Sequence, residues 1–374
     1  MEGPLHHLRF PVEATLGRRY PEPPHPYRNE FQRDRDRIIH TRAFRRLENK
    51  TQVFTPGYSD HFRNRLTHTI EVAQISRTVA GVLGLDSDLT EALALAHDIG
   101  HPPFAHAGEA ELNRQMARYG DSFDHNRHAL RIVESFELRY AAFPGLNLTF
   151  EVREGIVKHS RDLEPGRDPA LDEYLPHLRP PLEAQLIDLA DEIAYNTADL
   201  DDASAAGLVH EDEIVKNVPW FDRRLARVRA DHPDAADRLL LHEALRSLFD
   251  WLVTGLVEGT VEAAAAARVE DHDGVRAQPR RIASFTAEAG DVNRSLKAFL
   301  SRSVYNSPPL VEERKRHAAM IAGLFDFYAQ HPERLPAPYS ALAAADAPHR
   351  VACDYIAGMT DGFFERTFHE LIET

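Results

Sequence analysis

Apolar residues recur at the 3.6-residue spacing of a helix along almost the whole chain, and no stretch shows the alternation of a half-buried strand. The pattern predicts helices over residues 31–47, 64–84, 88–98, 107–118, 126–139, 150–160, 182–203, 236–268, 288–301, 311–329 and 351–371. Helix breakers stand between them: Pro56-Gly57, Gly100 to Pro103, Gly120, Pro144-Gly145, five prolines within 164–181, and Pro332 to Pro338. The first 27 residues hold six prolines and read as an extended arm, and 269–281 reads as a polar linker with few apolar anchors. The expected fold is all-α.

Composition limits the function. At 374 residues the chain can bury a sizeable core, and its single cysteine, Cys353, rules out a disulfide framework within one chain. No stretch approaches the length of a membrane span, so the expectation is a soluble, cytoplasmic protein with no membrane partner. A net charge of −15 argues against general duplex binding, which depends on neutralising phosphates. Residues 28–50 run against that trend, with eight Arg/Lys against four Asp/Glu. Such a segment is either a local patch for a small polyanion or a solvated helix face of alternating charge pairs.

The densest chemistry lies at 97–106, where His97, Asp98, His101 and His106 crowd the end of an alanine-rich helix and the Gly-Pro turn after it. His68 lies on the apolar stripe of its own helix with Val72, Ile75 and Val79, one turn after Arg65. Alone, it fits a satisfied core histidine as readily as a ligand. Adjacent His97 and Asp98 at a helix end can reach one cation, and mixed nitrogen and oxygen ligation suits Mn, Fe, Co, Ni or Zn better than Ca. A further acid would come from 182–203, where Asp188, Asp191, Tyr195 and Asp199 fall within about 80° on a helical wheel. That face reads equally as acids in solvent or as one wall of a wet pocket.

The ordered set His68, His97-Asp98 and Asp191 resembles the H…HD…D metal signature of the HD phosphohydrolase superfamily. The blocks "RDRDRIIHTRAFRRLENKTQVF", "RLTHTIEVAQISRTVA", "ALAHDIGHPPFAHAGE" and "VACDYIAGMTD" resemble the bacterial dGTP triphosphohydrolase family over nearly the whole chain. The resemblance implies an HD helical core with added N- and C-terminal helices. It implies cleavage of a deoxynucleoside triphosphate at the α-phosphate, giving deoxynucleoside and triphosphate. One divalent ion per subunit (Mn, Mg, Co, Fe or Ni) would be held by His68, His97, Asp98 and Asp191. His106 and Glu109 would form the catalytic pair, three residues apart at a helix start. His101, His125, Arg65 and Lys158 would meet phosphates, Gln52 and Val53 would exclude a 2′-hydroxyl, and Tyr195 and Asp199 would face the sugar. His159 occupies a place that is often Tyr. The division implied is an arm to residue 27, a catalytic core over 28–205, a helical insert over 206–268 and a C-terminal region over 282–374. A homo-oligomer up to a hexamer is expected, with an allosteric dNTP or single-stranded DNA as candidate activators.

The sequence departs from the family at Ala105, where the block usually reads Gly, and at Gly362-Phe363-Phe364 after "GMTD". Two other readings compete. One is an HD-type 5′-nucleotidase or phosphodiesterase, for which the 28–53 block has no use. The other is a non-catalytic nucleotide or single-strand sensor, against which the intact His106 and Glu109 speak.

Overall fold

In the computed structural model, residues 3–54, 62–344 and 346–373 are described. The expected break at Pro56-Gly57 lies outside them. Seventeen α-helices and no strand occur among the described residues, where pairing is limited to the isolated bridges Arg18–Thr149 and Thr51–Asn64.

The helices are α1 (Glu30–Ile39), α2 (Arg42–Arg46), α3 (Arg65–Leu83), α4 (Ser87–Ala96), α5 (Ala105–Ala117) and α6 (His125–Arg131). There follow α7 (Phe150–Val157), α8 (Leu182–Ala205), α9 (Glu211–Asn217), α10 (Pro219–Asp231), α11 (Asp237–Ala267) and α12 (His272–Arg276). The chain ends with α13 (Ala287–Leu300), α14 (Pro308–Gln330), α15 (Ala337–Ala343), α16 (Pro348–Ala357) and α17 (Asp361–Ile372). Local chemistry explains many of the starts. Asn29 forms a capping box with Gln32, Asn64 accepts from the Thr67 N–H, and Asp86 accepts from the N–H groups of Asp88 and Leu89. Each such cap contributes about 1 kcal/mol. Helix α3 ends on Gly84, whose φ of 84° suits a residue without a Cβ.

Several expected boundaries are corrected. The helix expected over 31–47 divides because the Thr41 side chain accepts from the Phe44 N–H and starts a new helix. The one expected over 351–371 divides at Gly358, and the Thr360 side chain caps α17 by accepting from the Phe363 N–H. The helix expected over 126–139 stops at Arg131 and continues as a π-helical turn, Ile132–Phe136. Helices α9 and α10 lie within the helical insert expected over 206–268, though the apolar period delimited neither. Residues 269–281 are not a free linker: they contain α12, bury Val275 and Arg276, and tie Arg276 to Glu154 at 2.9 Å.

The amino-terminal 27 residues are less extended than expected, with 3-10 turns at His6–Leu8 and Val12–Ala14. Leu5, Leu8 and Phe10 are buried in the main core. The Phe10 N–H donates to Glu183 Oε1 at 2.9 Å, and Arg18 pairs with fully buried Asp34. The basic segment 28–50 behaves as a set of charge pairs: Arg28 with Asp36, Arg33 with Glu30, Arg35 with Glu91, and Arg37 with Glu22.

Two apolar cores form among the described residues. The larger gathers α1, α3, α4, α7, α8, α10, α11 and α13. The smaller joins α5 to the C-terminal helices through Leu112, Met116, Ile321, Phe325, Ile356 and Phe364. The densest cluster of titratable groups lies where these two cores meet.

Candidate active site

A cavity of about 670 Å³ opens between the two cores. Its lining includes Thr51, Gln52, Val53, Arg65, His68, Asp98, His101, His106, His125, His159, Asp191, Tyr195 and Asp199. Helix α3 supplies His68, the carboxyl end of α4 supplies His97 and Asp98, and α8 supplies Asp191. His68 Nε2 lies 2.8 Å from Asp191 Oδ1, His97 Nε2 lies 3.9 Å from the same oxygen, and His97 Nε2 lies 3.6 Å from Asp98 Oδ1. Ligand atoms of His68, His97 and Asp191 all fall within 4.8 Å of one another, the convergence a single ion needs.

The donor chemistry fits a divalent cation. His97 Nδ1 is 2.6 Å from the Ala94 carbonyl, which fixes the proton there and leaves a bare lone pair on Nε2. That Nε2 is buried with no hydrogen-bond partner. Burial pulls the ring below its ordinary pKa, against the raising pull of Asp98 and Asp191, and so favours the neutral, ligating form. For Asp191, burial would raise the carboxyl, but the hydrogen bond from His68 together with the nearby His68, His97 and His159 rings brings it down to about 2. Asp98 is likewise held well below the carboxylate range: burial would raise it, but Arg65, His97 and His101 together override that.

Arg65 was expected to meet a phosphate. It does border the cavity, but its Nη1 is already committed to Asp98 Oδ2 at 2.6 Å. His159 is drawn in beside His97 and Asp191, its ring centroid 5.2 Å from that of His97 and its Nε2 3.9 Å from Asp191 Oδ2. Asp188 holds the other side of that ring, 2.8 Å from Nδ1.

A second group sits at the start of α5. His101 stacks on His125 at 3.9 Å between ring centroids, and His101 Nε2 lies 3.1 Å from Asp98 Oδ1. Glu109 accepts from the backbone N–H of His125 at 3.0 Å, and its Oε1 lies 2.7 Å from His125 Nδ1. His106 Nδ1 stands 3.6 Å from Glu109 Oε2, an ion-pair distance, and its side chain is 83% exposed. The expected His106–Glu109 pair is therefore a triad with His125. Burial would raise the Glu109 carboxyl, yet contacts with His106 and His125 hold it far below the usual range.

The turn that presents His106 is strained, since Phe104 and Ala105 have φ of 60° and 55°. Such conformations cost of order 1–3 kcal/mol each for residues with a Cβ. Gly100 permits the approach of α6, because a Cβ there would come within 2.0 Å of the His125 carbonyl oxygen.

The sugar-side candidates converge: Gln52, Val53, Tyr195 and Asp199 all line the cavity. Asp199 accepts from the Tyr305 hydroxyl at 2.5 Å, and burial pushes its carboxyl up to about 7. Lys158 does not reach the cavity. Its ammonium is buried against Glu154 at 2.7 Å and donates to the carbonyls of Leu175 and Leu178. A glutamate four residues earlier on the same helix was the signal that this lysine had a partner of its own. Sequence reading also missed Lys297, Tyr305, Leu310, Glu313, Arg314 and His317, which close the cavity from α13, the following π-helical turn and α14.

Comparison with known proteins places the chain in a family. Residues 65–196 match the HD domain model, and residues 283–370 match the phosphohydrolase-associated domain. A "deoxyguanosinetriphosphate triphosphohydrolase-like protein" of Paracoccus denitrificans is 44% identical over 361 residues, covering 94% of this chain and 95% of that protein. Proteins of the same description from Geobacter metallireducens and Leptospira interrogans are 42% and 40% identical, over 96% and 95% of this chain. At this identity and coverage, the chain belongs to the dGTP triphosphohydrolase-like family of HD phosphohydrolases.

Proposed function

We propose that the protein hydrolyses deoxynucleoside triphosphates, dGTP among them, to deoxynucleoside and triphosphate, using one divalent ion per subunit. The observation that carries this reading is one cavity of nucleotide size, lined by His68, Asp98 and Asp191, with His97 converging on them from behind, and by His106 and His125, with Glu109 in contact with both. A divalent ion held by His68, His97, Asp98 and Asp191 would neutralise charge at the α-phosphoryl oxygen. His101 and His125, stacked side by side, face the phosphates and donate to their oxygens. Water adds to the α-phosphorus, the bond to the 5′-oxygen breaks, and that oxygen takes a proton. His106, steered through Nδ1 by Glu109, exchanges the proton at Nε2. Gln52 and Val53 crowd the sugar so that a 2′-hydroxyl finds neither space nor partner, and Tyr195 and Asp199 hold the opposite side.

The same reading has the HD-type core spanning 28–205 with the 282–374 region packed on it. It places the protein in the cytoplasm as a homo-oligomer, with a nucleotide or single-stranded DNA as activator. Sedimentation of the active protein as a monomer at micromolar concentration would refute the assembly. The test of the chemistry is incubation with each dNTP and with GTP, in Mn or Mg, followed by separation of the products. Deoxynucleoside plus triphosphate, with GTP far poorer, is expected. Monophosphate plus pyrophosphate would refute the reaction, and equal rates for GTP would refute the sugar gate.

A further inference from the structure

The strained turn before His106 has no support from its own side chains, since Phe104 stands at the N-cap of α5 and cannot cap it. Support comes from the other end of the chain. Asp361, the first residue of α17, accepts from the Phe104 N–H through Oδ1 at 3.1 Å and from the Thr51 N–H through Oδ2 at 2.8 Å. These oxygens are not needed by α17 itself, because the Thr360 side chain already caps it. One carboxylate thus ties the segment carrying His106 to the segment carrying Gln52 and Val53, two walls of the same cavity.

The surroundings reinforce the tie. The Phe104 ring stacks on His317 at 3.9 Å and meets Phe364 edge-on at 5.2 Å. Next to Thr51, buried Lys50 donates to the carbonyl of His101 at 2.5 Å and to that of Ala357 at 3.0 Å. Ala105 makes the tie matter more. At φ 55° its Cβ disfavours the backbone that a glycine would adopt freely, so the turn relaxes once its anchor is gone.

We infer that Asp361 is a positioning residue: its carboxylate holds the catalytic turn at Phe104–His106 and the sugar-side segment at Thr51–Val53 in register. The inference rests on the proposed triphosphohydrolase reading. In Asp361→Asn one oxygen becomes an N–H donor facing a backbone N–H, and the register is lost.

The test compares Asp361→Asn with Phe368→Leu, which loosens α17 packing without touching the turn. Asp361→Asn is expected to lower kcat by about 10–100-fold with KM and metal content little changed, while Phe368→Leu keeps kcat. Adding Ala105→Gly to Asp361→Asn should recover part of the lost kcat, which general destabilisation would not allow. Wild-type kcat in Asp361→Asn overturns the inference, and so does a Phe368→Leu variant that loses kcat equally. If Asp361→Asn proves too unstable to purify, Asp361→Glu keeps the charge but lengthens the reach. A lost kcat in that variant supports the tie and a normal one overturns it. Hydrogen exchange separates the two readings: Asp361→Asn should expose the Thr51 and Phe104 amides even if the wild type turns over no dNTP. Unchanged protection there overturns the tie by itself.

Discussion

His125 and Glu109 are joined twice, once through the His125 ring at 2.7 Å and once through its backbone N–H at 3.0 Å. The carboxylate that stands 3.6 Å from His106 is thereby held by a second histidine. A cost to any one of the three spreads to the others.

His106→Ala should lower kcat by roughly two to four orders of magnitude, the usual range for an acid–base group, with metal content unchanged. Glu109→Ala should lose less in kcat but also raise KM, because it frees His125 as well. Steady-state kinetics with metal analysis checks both. Loss of the ion in His106→Ala would show that catalyst and ligand are misassigned.

Asp191→Ala should abolish divalent metal binding. It is a cleaner probe than Asp98→Ala, which would leave buried Arg65 without its carboxylate. Chelation should lower the Tm of the wild type and leave that of Asp191→Ala unmoved, since only a folded state that binds the ion gains from it. Metal content equal to wild type in the variant refutes the ligand set.

Glu183 carries a pH signature. Fully buried, with Oε2 unpartnered, its carboxyl is pushed by burial from the ordinary 4.5 up to about 7. A folded pKa above the unfolded one means that its contribution is complete below about pH 4.5 and is lost as pH rises through 7. Glu183→Gln should therefore be more stable than the wild type at pH 8, by about 2–3 kcal/mol, with the gain shrinking toward pH 5. Denaturant titrations at the two pH values measure it, and a gain that is larger at pH 5 reverses the sign and the explanation.

Gly100→Ala should disturb the site from a distance. The added Cβ would press on the His125 carbonyl oxygen at 2.0 Å, so α6 must move and take His125 from Glu109. A loss of about 1–3 kcal/mol in stability, with a larger fall in kcat than packing alone would bring, is expected. Thermal unfolding and kinetics on one preparation decide it.

The helical periods and the groups on them were legible in the sequence. His68 lies on a regular stripe, His97 and Asp98 are neighbours in the chain, and Asp191, Tyr195 and Asp199 share a helix face; that the three helices meet at one point was implied by the family resemblance alone. Thr41 and Thr360 cap helices inside stretches whose apolar period runs on unbroken, so the period shows neither break. Tyr305, Lys297 and His317 left no such trace. They reach the cavity only because α13 and α14 fold back over α5 and α8, and no local period records that return. Lys158 shows the converse, a family position whose side chain turns to the partner on its own helix.

The seat of the amino-terminal segment sets an order of events during synthesis. Phe10 hydrogen-bonds to Glu183, 173 residues further along, and Leu5 and Leu8 fill a core whose other walls include α3 and α8. These apolar residues leave the ribosome long before their pocket exists. Until α8 has emerged these side chains lack the walls of their core, so the main core closes late in synthesis.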